Sequence, residues 1–396
     1  MINNYFPLLV FIILLAAIFQ DDFFFTLLYL FAGAFVIGIR WSHRILRAIR
    51  FNRGFTNRAF LGEEVQVKLT ISNSGWLPVP WVRIHEGLPV ELSGPDSFQR
   101  VISLGPREEK SFIYNVDARR RGYYPIGPIY FSTSDILGLS TSELRREGEL
   151  EHLTVYPKIV PLSNVNFPSQ SPMGTLRHHR PIFEDPTRIL GKRDYYAGDS
   201  LRRVDWKATA VTGKLQVKLY EPSIALETMI FLNLHKEDYH YRMRIASTEL
   251  AIIIASSLAN WLVRKQQKVG LVVNGNDPLS AEGNPQFIPV RSGQGHLMQI
   301  LDILARIHVD DRLDFSVLFR NRRIHLPWGT TLTVITGNVD DGLFEEFHQS
   351  LRAGLSVNLI LAGTVLKARD ITQKASVFGI PVLNITRESD MDIWRQ

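Results

Sequence analysis

Any chemistry this 396-residue chain performs would have to begin between residues 192 and 222, in KRDYYAGDSLRRVDWKATAVTGKLQVKLYEP. That stretch gathers Arg193, Asp194, Asp199, Arg202, Arg203, Asp205 and Lys207 around Tyr195, Tyr196 and Trp206. Two carboxylates, Asp199 and Asp205, with the guanidiniums of Arg202 and Arg203 between them, are the parts of an acid/base pair with an anion clamp. A hydrolase would use them so. The spacing has a structural reading too. If Ser200 to Trp206 is helical, Asp199 stands three and four residues before Arg202 and Arg203, and Arg202 stands three before Asp205, so the charges pair along one turn. Exposed pairs of this kind contribute only about 0 to 1 kcal/mol each, which makes stability a weak reason for the cluster. Trp and Arg among charges are typical of protein-protein hot spots. We therefore rank an interface or inter-domain lock first, a solvated structural cluster second and catalysis third.

Other chemistry is excluded residue by residue. The chain has no G-x-x-x-x-G-K-[ST] loop for a nucleotide, no G-x-S-x-G elbow and no H-E-x-x-H metal pair. His178 and His179 are adjacent in a Pro-flanked run without acidic neighbours at ligand spacing, a weak basis for a metal. Cysteine is absent, so there are no disulfides, no zinc-thiolate clusters and no thiol nucleophile, and a reducing compartment suits the chain. The formal charge is +6, which would ordinarily raise nucleic acid as a partner. Its location argues against that. Arg40, Arg44, Arg47, Arg50, Arg53 and Arg58 occur with no acidic residue among them and equal the whole excess. They read as anchors to anionic lipid headgroups, worth about 1 kcal/mol each near the surface.

The elements that position the motif follow from hydropathy. From Phe6 to Phe19 and from Phe23 to Ile39 run two uncharged apolar stretches separated by Gln20, Asp21 and Asp22. Each falls a little short of the ~20 residues that span a bilayer core, so together they predict a transmembrane helical hairpin. The arginines after the second stretch point it to the cytoplasm by the positive-inside rule. A cleaved signal peptide is disfavoured, since no positive residue precedes the first stretch and no A-x-A site follows it. Residues 1–58 are thus assigned to the hairpin and a basic juxtamembrane segment. From Glu64, Val65, Val67, Leu69 and Ile71 alternate with polar residues, and further short strands follow around Trp81, Phe112, Ile129 and Leu153. Turn-punctuated strands of this kind over residues 59–160 predict an immunoglobulin-like, antiparallel β-sandwich. Residues 161–191 read as a linker. Beyond Glu221, apolar strands at Thr228 to Leu234, Val269 to Val273, Leu332 to Thr336, Val357 to Ala362 and Val382 to Ile385 alternate with helices. That predicts, within residues 192–396, a doubly wound α/β domain with a parallel sheet.

With Arg193, Tyr195, Gly198 and Asp199, then Arg203, Asp205, Trp206 and Ala208, the chain resembles the bacterial and archaeal family called "domain of unknown function 58". That family's signature is Arg-x-Tyr-x-x-Gly-Asp followed by Arg-x-Ile-Asp-Trp-x-Ala, and Val204 stands here in the Ile position. The likeness extends to the N-terminal hairpin, to RRRGYYPIGP, DILGL and the VYP at Val155, with Ile136 and Leu137 where the family tends to have Pro-Phe. The family is often compared to von Willebrand factor A domains, and its genes commonly neighbour those of MoxR-type AAA+ ATPases. The resemblance therefore implies a von Willebrand A-like C-terminal domain and a MoxR-type partner, and it supplies no activity. Metal-binding A domains hold Mg²⁺ with Asp-x-Ser-x-Ser after their first strand, hard oxygen ligands for a hard cation. Here Asn233, His235 and Glu237 fill those positions, and Gly337 and Asn338 follow Thr336 where a later Asp would stand. No metal and no cofactor is expected from so degenerate a set. The expectation is a membrane-anchored, non-catalytic adaptor with cytoplasmic soluble domains, whose motif of Arg193, Tyr195, Gly198, Asp199, Arg202, Arg203, Asp205 and Trp206 binds a partner or locks domains.

Overall fold

A computed structural model describes residues 5–19, 22–92, 98–134, 141–146, 151–163, 184–196, 204–222, 227–280 and 284–394. The apolar stretches are helical: α1 (Tyr5–Phe19) and α2 (Asp22–Ala48). Asp22–Ala48 is long and apolar enough to cross a membrane, and none of its apolar window is buried. It also continues nine residues beyond Ile39, through the first arginines. The reason is packing at its far end, where Ile45 and Leu46 enter the core of the sandwich that follows.

The chain divides near Lys158 into two compact units. In the first, β1 (Ile49–Gly54) follows α2 without a loop. Then come β2 (Arg58–Phe60), β3 (Glu64–Asn73), β4 (Val79–Glu86), β5 (Gln99–Leu104), β6 (Glu109–Asp117), β7 (Gly122–Ile126), β8 (Ile129–Ser134), β9 (Thr141–Arg146) and β10 (Glu151–Tyr156). The sheets run β1-β3-β6, β2-β10-β7 and β5-β4-β8-β9. On β3 the alternation resolves as expected, with Val65, Val67, Leu69 and Ile71 all buried. Pairing is antiparallel throughout except between β2 and β10, which run parallel. The chain from Ile49 to Phe60 thus pairs first with β3 and then with β10, changing sheets on the way.

That crossing corrects the assignment of residues 49–58 to the basic juxtamembrane segment. Arg53 alternates inward with Ile49, its side chain only 3% exposed, and ion-pairs with Glu86, whose side chain is fully buried. Its Nη1 donates to the Ile126 carbonyl oxygen at 3.0 Å, and the Tyr114 hydroxyl donates to the same Glu86 carboxylate. Burial against that carboxylate pushes the Tyr114 hydroxyl well above the usual tyrosine range. Arg53 is a core cation rather than an anchor, and the sandwich begins at Ile49.

The second unit opens with β11 (Glu184–Asp194), α3 (Trp206–Thr212) and β12 (Gln216–Pro222). Residues 184–191, read as linker, are therefore strand, paired antiparallel with β12. The α/β part follows as β13 (Glu227–Leu232), α4 (Arg244–Arg264), β14 (Lys268–Val273), β15 (Gln286–Arg291), α5 (Gln294–Arg306), α6 (Phe315–Arg323), β16 (Thr331–Thr336), α7 (Asp341–Arg352), β17 (Ser356–Ala362), α8 (Ala368–Val377) and β18 (Val382–Ile385). Its sheet order is β15-β14-β13-β16-β17-β18, with β15 antiparallel to β14 and the other pairs parallel. The expected all-parallel sheet thus carries one antiparallel edge. Met229 and Phe231 of β13 pack into one cluster with Phe319, Phe347 and Ile371 from α6, α7 and α8. Ile230 and Leu232, equally buried, point to the opposite face by strand alternation. Helix α4 is as long and apolar as a membrane span, but 67% of its window is buried, which makes it a core helix.

Candidate functional site

Among the described residues of the motif, Asp205 is the most heavily engaged. Val204 forms a bridge with Val217 of β12, both buried, so the chain reaches Asp205 extended and turns helical only at Trp206. Val204 and Asp205 thus lie outside the helix considered for Ser200 to Trp206, whose residues 200–203 are outside the described residues. Asp205 is the N-cap of α3, its Oδ1 accepting from the Ala208 amide at 3.1 Å, and its own amide donates to the Gln216 carbonyl at 2.8 Å. Its Oδ2 lies 2.8 Å from Nζ of Lys192 on β11. The Lys192 ammonium, then the Ala208 amide, hold the Asp205 carboxyl below the ordinary aspartate range. Thr209 closes the turn, its hydroxyl donating to the Asp205 carbonyl at 2.8 Å and accepting from the Gln216 amide at 3.0 Å. Gly213, at φ 69°, ends the helix in the left-handed conformation that suits glycine. The Asp-Trp-x-Ala run is thus a capping unit that ties a short helix to a hairpin.

Polar groups are consumed by this geometry, whereas the aromatics are left outside. Trp206 is 67% exposed and Tyr196 is 68% exposed, and the Arg193 guanidinium lies 5.4 Å from the Tyr196 ring centroid. Tyr195 donates its backbone amide to the Leu215 carbonyl at 2.9 Å, continuing the hairpin. Gly198, Asp199, Arg202 and Arg203 lie outside the described residues, as do His178 and His179.

A second polar assembly, partly missed in the sequence, lies at the carboxyl ends of β13 and β16. These are neighbouring central strands whose chains leave toward opposite sides of the sheet, the place where such sheets usually hold ligands. Asn233 is buried there and fully bonded: its Nδ2 donates to Asp238 at 2.8 Å and to Thr336 at 2.9 Å, and its Oδ1 accepts from the His235 amide and from Asn274. The side chain braces the loops. Glu237 is exposed, and the carboxylate that enters the crevice is the next one, Asp238, brought in by a short 3-10 turn over Lys236–Asp238. Burial pushes the Asp238 carboxyl above the ordinary aspartate range, against the opposing pull of the Asn233 amide. His235 Nδ1 stands 3.7 Å from it. Asp314 and Asp340 also line the crevice, but as N-caps of α6 and α7. Gly337 lets the β16 loop approach, since a Cβ there would stand 2.5 Å from the Asp238 carbonyl oxygen. Among the described residues no group of three or more His, Asp or Glu is arranged to hold a metal ion.

Residues 191–372 match the family model described as "Protein of unknown function DUF58", the family that the motif resembles. The match begins at the motif and leaves out the N-terminal helices and the sandwich, narrower than the resemblance drawn from RRRGYYPIGP and DILGL. The chain is 22% identical over 255 residues to the "Uncharacterized protein YeaD" of Bacillus subtilis (strain 168), covering 63% of this chain and 60% of that relative's length. Among solved structures, an aerotolerance-related membrane protein from Bacteroides fragilis aligns over 43% of this chain and 95% of its own, at 16% identity and a TM-score of 0.32. The CARDB domain of a Pyrococcus furiosus protein, solved with di-metal ions, aligns over 27% of this chain and 86% of its own, at 15% identity and a TM-score of 0.20. Likenesses this loose fix no detail of this chain.

Proposed function

We propose that this chain, whose residues 191–372 match the DUF58 family model, is a membrane-anchored, non-catalytic adaptor that binds another protein through the exposed face of its motif. The observation that carries this reading is the division of labour around Asp205. Its carboxylate is bound to Lys192 and the α3 cap, while Trp206, the next residue, and Tyr196, over whose ring Arg193 lies, are exposed. A general acid needs a proton to give near neutral pH, and a carboxylate held below its ordinary range has none, so Asp205 is not placed to serve as the acid of such a pair. Exposed Trp with neighbouring Arg is the side-chain chemistry of interface hot spots. This disfavours the hydrolase that would use Asp199 with Asp205.

The partner implied by the family's gene neighbourhood is a MoxR-type AAA+ ATPase, and nucleic acid is not proposed as a partner. The strand order, with the antiparallel β15 at one edge, supports a von Willebrand A-like reading of the C-terminal unit. The two apolar helices and the arginines that close the second, Arg40, Arg44 and Arg47, support a two-span anchor with the remaining domains in the cytoplasm. A direct test mixes the detergent-solubilised full chain with a purified MoxR-type ATPase and measures binding by interferometry. Trp206→Ala is expected to lose capture while unfolding at the wild-type temperature. Equal capture by wild type and Trp206→Ala would remove the motif from the interface.

A further inference from the structure

Helix α2 leaves its apolar stretch and enters the sandwich without interruption. Between Ile39 and Ala48 it contains neither Gly nor Pro, so no hinge separates the stretch from the domain. Its last turns are fastened to the sandwich. Ile45 and Leu46 lie in the core, and the Ser42 hydroxyl stands 3.0 Å from that of Ser142 on β9. The Ala48 carbonyl accepts from the Ser74 amide at 2.9 Å and from the Ser74 hydroxyl at 2.7 Å, so the turn between β3 and β4 caps the helix. All of these residues belong to the first compact unit.

Length sets how near lipid this junction lies. From Phe23 to Ile39 the helix rises about 25 Å at ~1.5 Å per residue, short of a ~30 Å hydrocarbon core. A short span is drawn in rather than pushed out. Ser42 is then about 5 Å past the apolar stretch, within the roughly 5 to 8 Å that headgroups fill on each side.

The chain that turns beside this junction reads Trp76, Leu77, Pro78, Val79, Pro80, Trp81. Gly75 packs on the end of α2, where a Cβ would stand 3.0 Å from that of Ala48. At the other end, the Trp81 carbonyl accepts from the Thr133 hydroxyl at 2.5 Å, and Thr133 pairs with Ser142, the partner of Ser42. The segment therefore runs along the last turns of α2 toward the bilayer. Leu77 and Val79 are held in the core, which leaves Trp76, Pro78 and Pro80 exposed and Trp81 half-buried. Trp76 is 68% exposed. An indole, apolar in its body with a polar N–H, is favoured where lipid meets water. Arg40, Arg44 and Arg47, exposed at helical spacing on the outer side of α2, add positive charge at the same level.

We propose that residues 76–81 form a second membrane contact, which seats the sandwich on the anionic lipid surface that α2 leaves. The inference rests on the reading of α2 as a membrane span. Pro78, Pro80 and Trp81 enter the headgroup layer, Trp76 borders it, and Leu77 and Val79 hold the segment to the core behind.

Because the chain has no cysteine, single cysteines can carry an environment-sensitive fluorophore in the full-length protein, reconstituted in phosphatidylcholine vesicles with phosphatidylglycerol. Pro78→Cys leaves both tryptophans in place. Val90→Cys, at a residue 83% exposed beyond the opposite end of β4, is the aqueous control. Leu30→Cys, at a residue 63% exposed in the apolar part of α2, reports the span itself. Lipid spin-labelled near the headgroup is expected to quench the Pro78→Cys label and not the Val90→Cys label, and lipid labelled deep in the acyl chain to quench the Leu30→Cys label. Adding Trp76→Glu is expected to bring quenching of the Pro78→Cys label down toward the Val90→Cys level at unchanged thermal unfolding. Quenching of the Leu30→Cys label alone overturns the proposal and leaves the anchor standing; quenching of neither overturns both. A blue-shifted Pro78→Cys label that lipid does not quench also overturns it and gives the segment to a protein. Quenching indifferent to Trp76→Glu would mean proximity without contact, which overturns it too.

Discussion

Asp205 holds four partners at once: the Ala208 amide at the start of α3, the Lys192 ammonium, the Thr209 hydroxyl at its carbonyl and, through its own amide, the Gln216 carbonyl. Because its carboxyl lies below the ordinary value near ~4, its stabilising effect is present above that value and is lost as pH falls through the lowered one. Asp205→Ala should therefore lower the unfolding midpoint at neutral pH, and the difference from wild type should shrink in a titration taken well below pH ~4. Asp238 has the opposite sign. Its raised value means that its stabilising effect is full below the ordinary aspartate range and is lost as pH rises through the raised value. Asp238→Asn, nearly isosteric, should match wild type near pH ~4 and gain on it toward neutrality, as thermal unfolding across pH would record. A parallel dependence in wild type and variant would mean that Asp238 is solvated.

At the scale of elements, the buried Arg53–Glu86 pair links β1 to β4. Removing one member leaves the other charge without compensation, so Glu86→Ala is expected to cost ~3–5 kcal/mol in urea unfolding, far more than any exposed ion pair in the chain. Phe347, fully buried between Phe319 and Phe344, should cost a similar ~3–5 kcal/mol when cut to Ala. These elements differ in how plainly they are written. The period-two run on β3 and the apolar runs of β13, β14, β16 and β17 were legible, because one or both faces of each strand are buried. The inward turn of Arg53 was not, since an arginine among arginines reads as solvated until a buried Glu86 appears across the sandwich. Strand β15 was missed because QFIPVR is short and contains Pro289. The Asp-x-Ser-x-Ser spacing led to Glu237, whereas a 3-10 turn delivers Asp238. The signals for Asp314 and Asp340 were present, an aspartate directly before FSVLF and before DGLFEEF, as N-caps commonly stand. Half of the motif's named residues lie outside the described chain, and for these the sequence remains the whole account.

For the whole molecule, the absence of cysteine makes orientation directly measurable. A single cysteine placed at Asp22, the first residue of α2, should react with an impermeant maleimide on intact cells. One placed at the exposed Asp311 should react only after permeabilisation. The opposite pattern would invert the anchor. The central claim is that the motif binds and does not catalyse, and the substitution pair Asp205→Asn and Asp205→Ala tests it most directly. Asparagine caps a helix about as well as aspartate but cannot exchange a proton as a carboxylate does, whereas alanine can do neither. We would measure capture of the partner from native membranes by each full-length variant, after confirming that both fold. The account predicts that Asp205→Asn retains capture and Asp205→Ala loses it; loss of function in Asp205→Asn as complete as in Asp205→Ala, at intact fold, would contradict it and return the carboxylate to catalysis.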